Sequence, residues 1–180
     1  TLGTNGVLNL KINGDDIPAI VDMDGDGDLD ILTFGFTGAG ELQYHQNMSI
    51  ENTGSCHVND FVRTHTRWGD VEECGCGSFG YGNEDCPTGG RTEHTGGKSL
   101  LVFDADGDAD YDLLIGEENC SELHLLTNIG DNTNAILRNG QAYPAVNPVS
   151  LFHYPSAFLE DVTFDGKTDL LVSTNSPYNL

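Results

Sequence analysis

Positive charge is scarce in this chain. Of its 180 residues only 7 are Lys or Arg, against 29 Asp or Glu, for a formal net charge of −22. Phosphate backbones and anionic membrane surfaces are held through cations, so nucleic acid and acidic membranes are poor partners. Long apolar runs are missing as well, and none reaches the roughly 18 residues a membrane-spanning helix needs, so no membrane insertion is expected. An initiator Met and a visible signal peptide are both lacking, and the latter says little in a chain that reads as a fragment. No Gly-x-Ser-x-Gly elbow, phosphate-binding loop or His-Glu-x-x-His motif occurs. The six histidines (His45, His57, His65, His94, His124, His153) are scattered. No catalytic residue is therefore assigned. Carboxylate pairs of the glycosidase kind would be easy to draw from so many acids, but the clustered acids have a better explanation.

That explanation lies in three nine-residue loops. The first, Asp22-Met23-Asp24-Gly25-Asp26-Gly27-Asp28-Leu29-Asp30, holds five aspartates. Asp104-Ala105-Asp106-Gly107-Asp108-Ala109-Asp110-Tyr111-Asp112 repeats it closely, and Asp161-Val162-Thr163-Phe164-Asp165-Gly166-Lys167-Thr168-Asp169 repeats it in reduced form. Carboxylates this dense repel one another and call for a counter-charge. A hard divalent cation supplies it, and Ca²⁺ takes 6–8 oxygen ligands from carboxylates, hydroxyls and backbone carbonyls alike. Positions 1, 3, 5 and 9 carry oxygen side chains in every copy: Asp22, Asp24, Asp26, Asp30; Asp104, Asp106, Asp108, Asp112; Asp161, Thr163, Asp165, Asp169. Position 7 varies between Asp28, Asp110 and Lys167, so it is expected to offer its backbone carbonyl. Position 6 is Gly27, Ala109 or Gly166, small residues suited to a turn with positive φ, so Ala109 is expected to leave the second turn slightly strained or differently shaped. Two to three bound Ca²⁺ ions are expected. An EF-hand is excluded, because position 12 is Thr33, Ile115 or Val172 and not a bidentate Glu.

The flanks read as strands. Ile17–Val21 and Leu100–Phe103 lead into loops, while Ile31–Phe34, Leu113–Ile115 and Leu170–Val172 lead out, all short aliphatic runs bounded by Gly, Pro or Asp. Beyond them, Glu41-Leu42-Gln43-Tyr44-His45-Gln46-Asn47 and Glu122-Leu123-His124-Leu125-Leu126-Thr127-Asn128 share the pattern Glu-Leu-x-apolar-x-x-Asn. The alternation predicts half-buried third strands with His45 and His124 facing solvent. Fourth strands are expected near Phe61–Thr66 and Ala135–Arg138. The copies start 82 and 57 residues apart, so the longer interval carries an insertion. The chain divides into 1–50 (first repeat), 51–97 (Cys-rich insertion with the end of the first unit), 98–150 (second repeat) and 151–180 (partial third repeat). Such four-stranded units suit propeller blades, which close in rings of about 4–8.

The Asp-x-Asp-Gly-Asp-Gly-x-x-Asp-[Ile/Leu]-Leu pattern resembles the FG-GAP/VCBS repeat of integrin-α-type β-propellers. The resemblance implies an all-β fold of Ca²⁺-binding blades, with Ala109 and Thr163 departing from the pattern. It covers about three blades, fewer than a ring, so the chain is read as part of a larger propeller. The stretch from Gly6 to Asn47 is also similar to secreted multi-repeat proteins of Bacteroidetes, many of them cargo of the type IX secretion system, whose translocon then becomes a possible partner. The sorting tail of such cargo is absent.

Four cysteines, Cys56, Cys74, Cys76 and Cys86, fall in the insertion, and Cys120 follows in the second repeat. A Gly-rich segment this poor in apolar residues needs disulfides, which belong outside the cell. Five cysteines allow two bridges; Cys74 and Cys76 are too close to pair with each other, and Cys120 reaches the insertion only if the repeats adjoin. The alternative is a zinc site of Cys56, Cys74, Cys76 and Cys86 with His57 or His94, against which stands the lack of Cys-x₂-Cys knuckles. Trp68, Tyr81 and Arg67 either contact a sugar or protein or, in the case of Trp68, pack the insertion onto the blade.

The function expected is a secreted or cell-surface, non-enzymatic Ca²⁺-binding module with a structural or adhesive role toward a protein or glycan, or toward the rest of its own propeller. The alternative is the propeller portion of a secreted polysaccharide-degrading enzyme. Thrombospondin-like acidic repeats are disfavoured by the long spacings.

Overall fold

A computed structural model describes residues 10–36, 40–57, 60–84, 86 and 96–175, with the backbone alone of Leu2–Gly3 and Gly6–Val7. Among these residues the fold is all-β and every sheet is antiparallel. Strands β1 (Leu2–Gly3) and β2 (Gly6–Val7) form a short ribbon. A four-stranded sheet then runs in chain order through β3 (Ala19–Val21), β4 (Asp30–Phe34), β5 (Leu42–Asn47) and β6 (Phe61–His65), with a five-residue helix α1 (Ser49–Thr53) between β5 and β6. The hairpin β7 (Val71–Gly75) and β8 (Ser78–Tyr81) follows. The second four-stranded sheet has the same plan: β9 (Lys98–Phe103), β10 (Asp112–Glu117), β11 (Leu123–Asn128) and β12 (Leu137–Tyr143). A last pair, β13 (Pro155–Glu160) and β14 (Asp169–Thr174), forms the third sheet.

Each acidic loop is thus the turn between the first two strands of a sheet. The two third strands lie where the Glu-Leu-x-apolar-x-x-Asn pattern puts them. The last strand of the second sheet starts later than expected, at Leu137 rather than Ala135. The reason is a turn organised by Asp131, whose Oδ1 accepts the Thr133 and Asn134 N–H groups, while Ile129 N–H donates to the Ile136 carbonyl. The chain is not free to extend until that turn ends.

Residue alternation explains how the sheets stack. On the second sheet Leu100, Val102, Leu113, Ile115, Leu126 and Leu137 point one way, and they pack on Ala19, Leu32, Phe34, Leu42 and Tyr44 of the first. Leu101, Phe103, Leu114, Leu123 and Leu125 point the other way, onto Ala157, Leu170 and Val172 of the third. A sheet covered on both faces needs continuous apolar strands, and that is why Leu100–Phe103 and Leu113–Ile115 do not alternate with polar residues. The segment just ahead of β3 meets β9 directly: Ile17 N–H donates to the Lys98 carbonyl (2.8 Å) and Leu100 N–H to the Ile17 carbonyl (2.9 Å). Ser99 Oγ donates to the Pro155 carbonyl, which passes Gly116 so closely that a side chain there would collide with it.

The insertion is part of this packing. Trp68 is fully buried in the core between the first two sheets, with its N–H donating to the Leu42 carbonyl and its indole Nε1–H to that of Asn132. Tyr81 Oη accepts the Gly140 N–H, fastening the hairpin to β12. Packing, not ligand contact, is the job of Trp68. Among the described residues Arg67 approaches the Glu72 carboxylate at 4.0 Å.

Disulfides join Cys74 to Cys86 and Cys76 to Cys120, and Cys56 is free and exposed. The second bridge spans from insertion to second sheet, because the two adjoin. Three of the four thiols of the zinc alternative are consumed in these bridges, which overturns it; His94 lies outside the described residues. Two disulfides point to an oxidising, extracellular setting. No described helix is long and apolar enough to cross a membrane.

Two histidines expected to face solvent are buried. His45 is 1% exposed and His124 is 9% exposed, so neither faces solvent. His45 lies on the face opposite Tyr44 and is buried there although Ile20, on the same face, is exposed; His124 pairs with Ile115 on the packed face and meets the Phe79 ring edge-on. Burial, and then Arg63, push the His45 ring down to about 4.

Candidate metal centre

The three loops share one hydrogen-bond skeleton. The first Asp of each reaches across the turn with both oxygens and always accepts the position-6 N–H, Asp22 from Gly27 (3.0 Å), Asp104 from Ala109 (3.1 Å) and Asp161 from Gly166 (2.9 Å); its other oxygen takes the position-4 N–H of Gly25 (2.7 Å) and Gly107 (2.6 Å) in the first two loops but the position-5 N–H of Asp165 (3.2 Å) in the third. The fifth-position Asp accepts the N–H two residues on, Asp26 from Asp28, Asp108 from Asp110 and Asp165 from Lys167. The ninth closes the loop on its second residue, Asp30 to Met23, Asp112 to Ala105 and Asp169 to Val162. Position 6 has positive φ in every copy, +100° at Gly27, +78° at Ala109 and +83° at Gly166. Ala109 therefore occupies backbone that glycine adopts more easily.

In the first two copies the ninth Asp also ties the loop to the third strand. Asp30 Oδ1 accepts Asn47 N–H at 2.7 Å and Asp112 Oδ1 accepts Asn128 N–H at 2.8 Å. Tyr44 Oη–H adds a third donor to Asp30 at 3.0 Å. The repeated Asn then organises the next turn with its side chain: Asn47 Nδ2–H donates to the His57 carbonyl, and Asn128 Oδ1 accepts the Gly130 and Ile136 N–H groups.

These contacts gather the carboxylates. Asp22, Asp24 and Asp30 place oxygens within 4.8 Å of one another, as do Asp104, Asp106 and Asp108. A third group combines Asp24 and Asp26 with Glu51 of α1. Among the described residues, Asp161, Asp165 and Asp169 do not converge to that degree. Thr163 N–H donates to Asp169, and Thr163 and Lys167 are both exposed. Asp28 and Asp110 occupy position 7; Asp28 Oδ2 accepts Ser49 Oγ–H (2.7 Å) and Ile50 N–H (3.2 Å), which seats α1 on the loop. Glu51 is a candidate ligand that the loop spacing does not reveal. It comes from outside the nine-residue pattern, and its only signal is an acid four residues beyond the conserved-spacing Asn47. Gln46 Nε2–H bridges Asp24 Oδ2 (2.5 Å) and Glu51 Oε1 (2.9 Å).

The donor set fits a hard divalent cation. It is all oxygen, and Asp26 Oδ2, Asp28 Oδ1 and Asp110 Oδ1 are buried without accepting a hydrogen bond. The electrostatics agree. Burial, reduced by the hydrogen bonds it accepts, pushes Asp30 up to about 6, and burial together with Asp108 pushes Asp110 up to about 6. Asp24 and Asp106 are raised from the same leading cause, with carboxylate neighbours adding to it.

Without a cation, the folded chain holds these protons more tightly than the unfolded one, so the strain is absent below about pH 4 and develops as pH rises through 6. A bound cation needs the ionised form. The gain in Tm from Ca²⁺ over EDTA is therefore expected to be full near neutrality, to fall as pH drops through about 6, and to vanish near 4. Taking the difference at each pH cancels His45, which destabilises the fold in both conditions once the unfolded imidazole protonates. A gain independent of pH between 7 and 4 would mean that these carboxylates do not hold the ion.

In comparisons with known proteins, the chain matches no family model, no curated protein and no solved structure.

Proposed function

We propose that this chain is a segment of a Ca²⁺-binding β-propeller of the FG-GAP/VCBS type, secreted or held at a cell surface, with a structural or adhesive role. Its three sheets are blades, and Ca²⁺ in the Asp-rich loops ties the first two strands of a blade to its third. The observation that carries the reading is the recurrence of one hydrogen-bond skeleton at the same point of three stacked sheets, with carboxylates gathered in two of them. Supporting it are the face-to-face packing of successive sheets and two disulfides. Extracellular calcium modules bind with dissociation constants of about 10⁻⁴–10⁻³ M, and Ca²⁺ at ten times that constant stabilises by about 1.4 kcal/mol per site.

Asp106→Asn tests the reading through a change of sign. Asp106 is exposed, sits among Asp104, Asp108 and Asp112, and its carboxyl is raised. Removing its charge relieves repulsion when no cation is present, so Tm in EDTA rises. In millimolar Ca²⁺ the same change removes a ligand, so Tm falls. A shift of the same sign in both melts would show that Asp106 is no ligand. Mass spectrometry of the wild-type protein in Ca²⁺ is expected to count two to three ions.

A further inference from the structure

Of the third loop's departures from its sister loops, one sets side chain against backbone. Position 4 is Gly25 (φ +79°) in the first loop and Gly107 (φ +89°) in the second, yet Phe164 holds the same left-handed backbone at φ +57°. A bulky side chain there is an outlier. Phe164 gains nothing from packing in return, because it is 91% exposed. Val162, two residues before it, is 48% exposed. An aromatic that opposes the backbone and buries almost none of its surface adds little to the stability of this fold, and strain kept at such a point is where a function is to be sought. Around this apolar tip stand Glu160, Asp161, Asp165 and Asp169, with Lys167 as the one cation of the loop.

We propose that Phe164, with Val162 beside it, is the anchor by which the third loop docks onto another protein, entering an apolar site rimmed by Lys or Arg. Large aromatics supply interface anchors because they bury much area at little entropic cost. The carboxylates around the tip fix the sign of the rim, and the net charge of −22 steers a basic partner toward it. This rests on the adhesive half of the function proposed above and does not depend on calcium filling the loop.

The decisive variant is Phe164→Gly. It restores the residue of the two sister loops and discards no buried surface, so Tm rises by about 2–4 °C. The probe is a synthetic amphipathic helix of Leu and Lys, whose apolar stripe is flanked by cations, with poly-lysine as the purely electrostatic control. The wild-type chain is expected to bind the amphipathic helix about tenfold or more tighter than Phe164→Gly does, while poly-lysine binds both alike. Phe164→Leu recovers part of the difference. Equal binding of the helix by wild type and Phe164→Gly would overturn the proposal. So would an equal loss for helix and poly-lysine, which would mean charge alone. Phe164-dependent binding to phosphatidylcholine vesicles without any difference toward the peptide would assign the tip to a membrane instead. Calcium affinity, titrated separately on both proteins, stands or fails without touching this result.

Discussion

Trp68→Ala is expected to cost about 3–5 kcal/mol, the largest loss from any single substitution discussed for this chain. Trp68 is fully buried where the first sheet, the second sheet and the insertion meet, beside Leu42, Tyr44, Val71 and Leu137. Truncation removes the transfer energy of an indole and leaves a cavity that three separate elements would have to close together. Stability of an ordinary domain is about 5–15 kcal/mol, so this is a large fraction of it. Denaturant melts followed by circular dichroism should show a lower midpoint with an unchanged slope, in Ca²⁺ and in EDTA alike. A loss under about 1 kcal/mol would mean that the insertion is not part of the core.

Asp30→Ala comes next. Asp30 is fully buried and accepts Met23 N–H, Asn47 N–H and Tyr44 Oη–H. Each donor left unsatisfied costs about 1–3 kcal/mol, so the metal-free protein is expected to lose about 3 kcal/mol or more. Removing a carboxylate that resists ionisation offsets some of this, but three lost partners outweigh one relieved charge. Asp112→Ala is the comparison. Asp112 accepts Ala105 N–H and Asn128 N–H, and the tyrosine of the first repeat is Leu125 in the second, so its loss in EDTA should be smaller. Millimolar Ca²⁺ should widen both losses. An Asp30→Ala protein as stable as wild type in EDTA would show that the ninth Asp does not anchor the loop.

The contrast between Asp30 and Asp106 explains why the loops can be read from sequence. At fixed offsets each carboxylate serves as turn acceptor, anchor or ligand, and an offset is visible in a linear string. The strands around the loops are visible for a similar reason, since a sheet covered on both faces writes itself as unbroken aliphatic runs. Other features depend on neighbours distant in sequence. Glu51 joins the first loop only because Asp28 seats α1 there. Cys120 finds Cys76 only because the insertion lies against the second sheet. His45 obeys the alternation and is buried nonetheless, since alternation assigns a face and not what covers it. Phe164 is readable as a departure from Gly25 and Gly107, but its exposure and backbone angle are not.

Tyr154, just before β13, donates its hydroxyl to the carbonyl of Asp15, just before β3. This contact spans 139 residues of sequence, while most pairings within each sheet are between neighbours in the chain. Each sheet can therefore form quickly by local zippering, but the seal between the third sheet and the segment ahead of the first must wait until nearly the whole chain exists. During synthesis the second sheet, apolar on both faces, spends that interval with one face bare. The acidic loops on the three stacked sheets keep such intermediates mutually repulsive, so the charge that strains the folded loops also discourages partly made chains from sticking to one another.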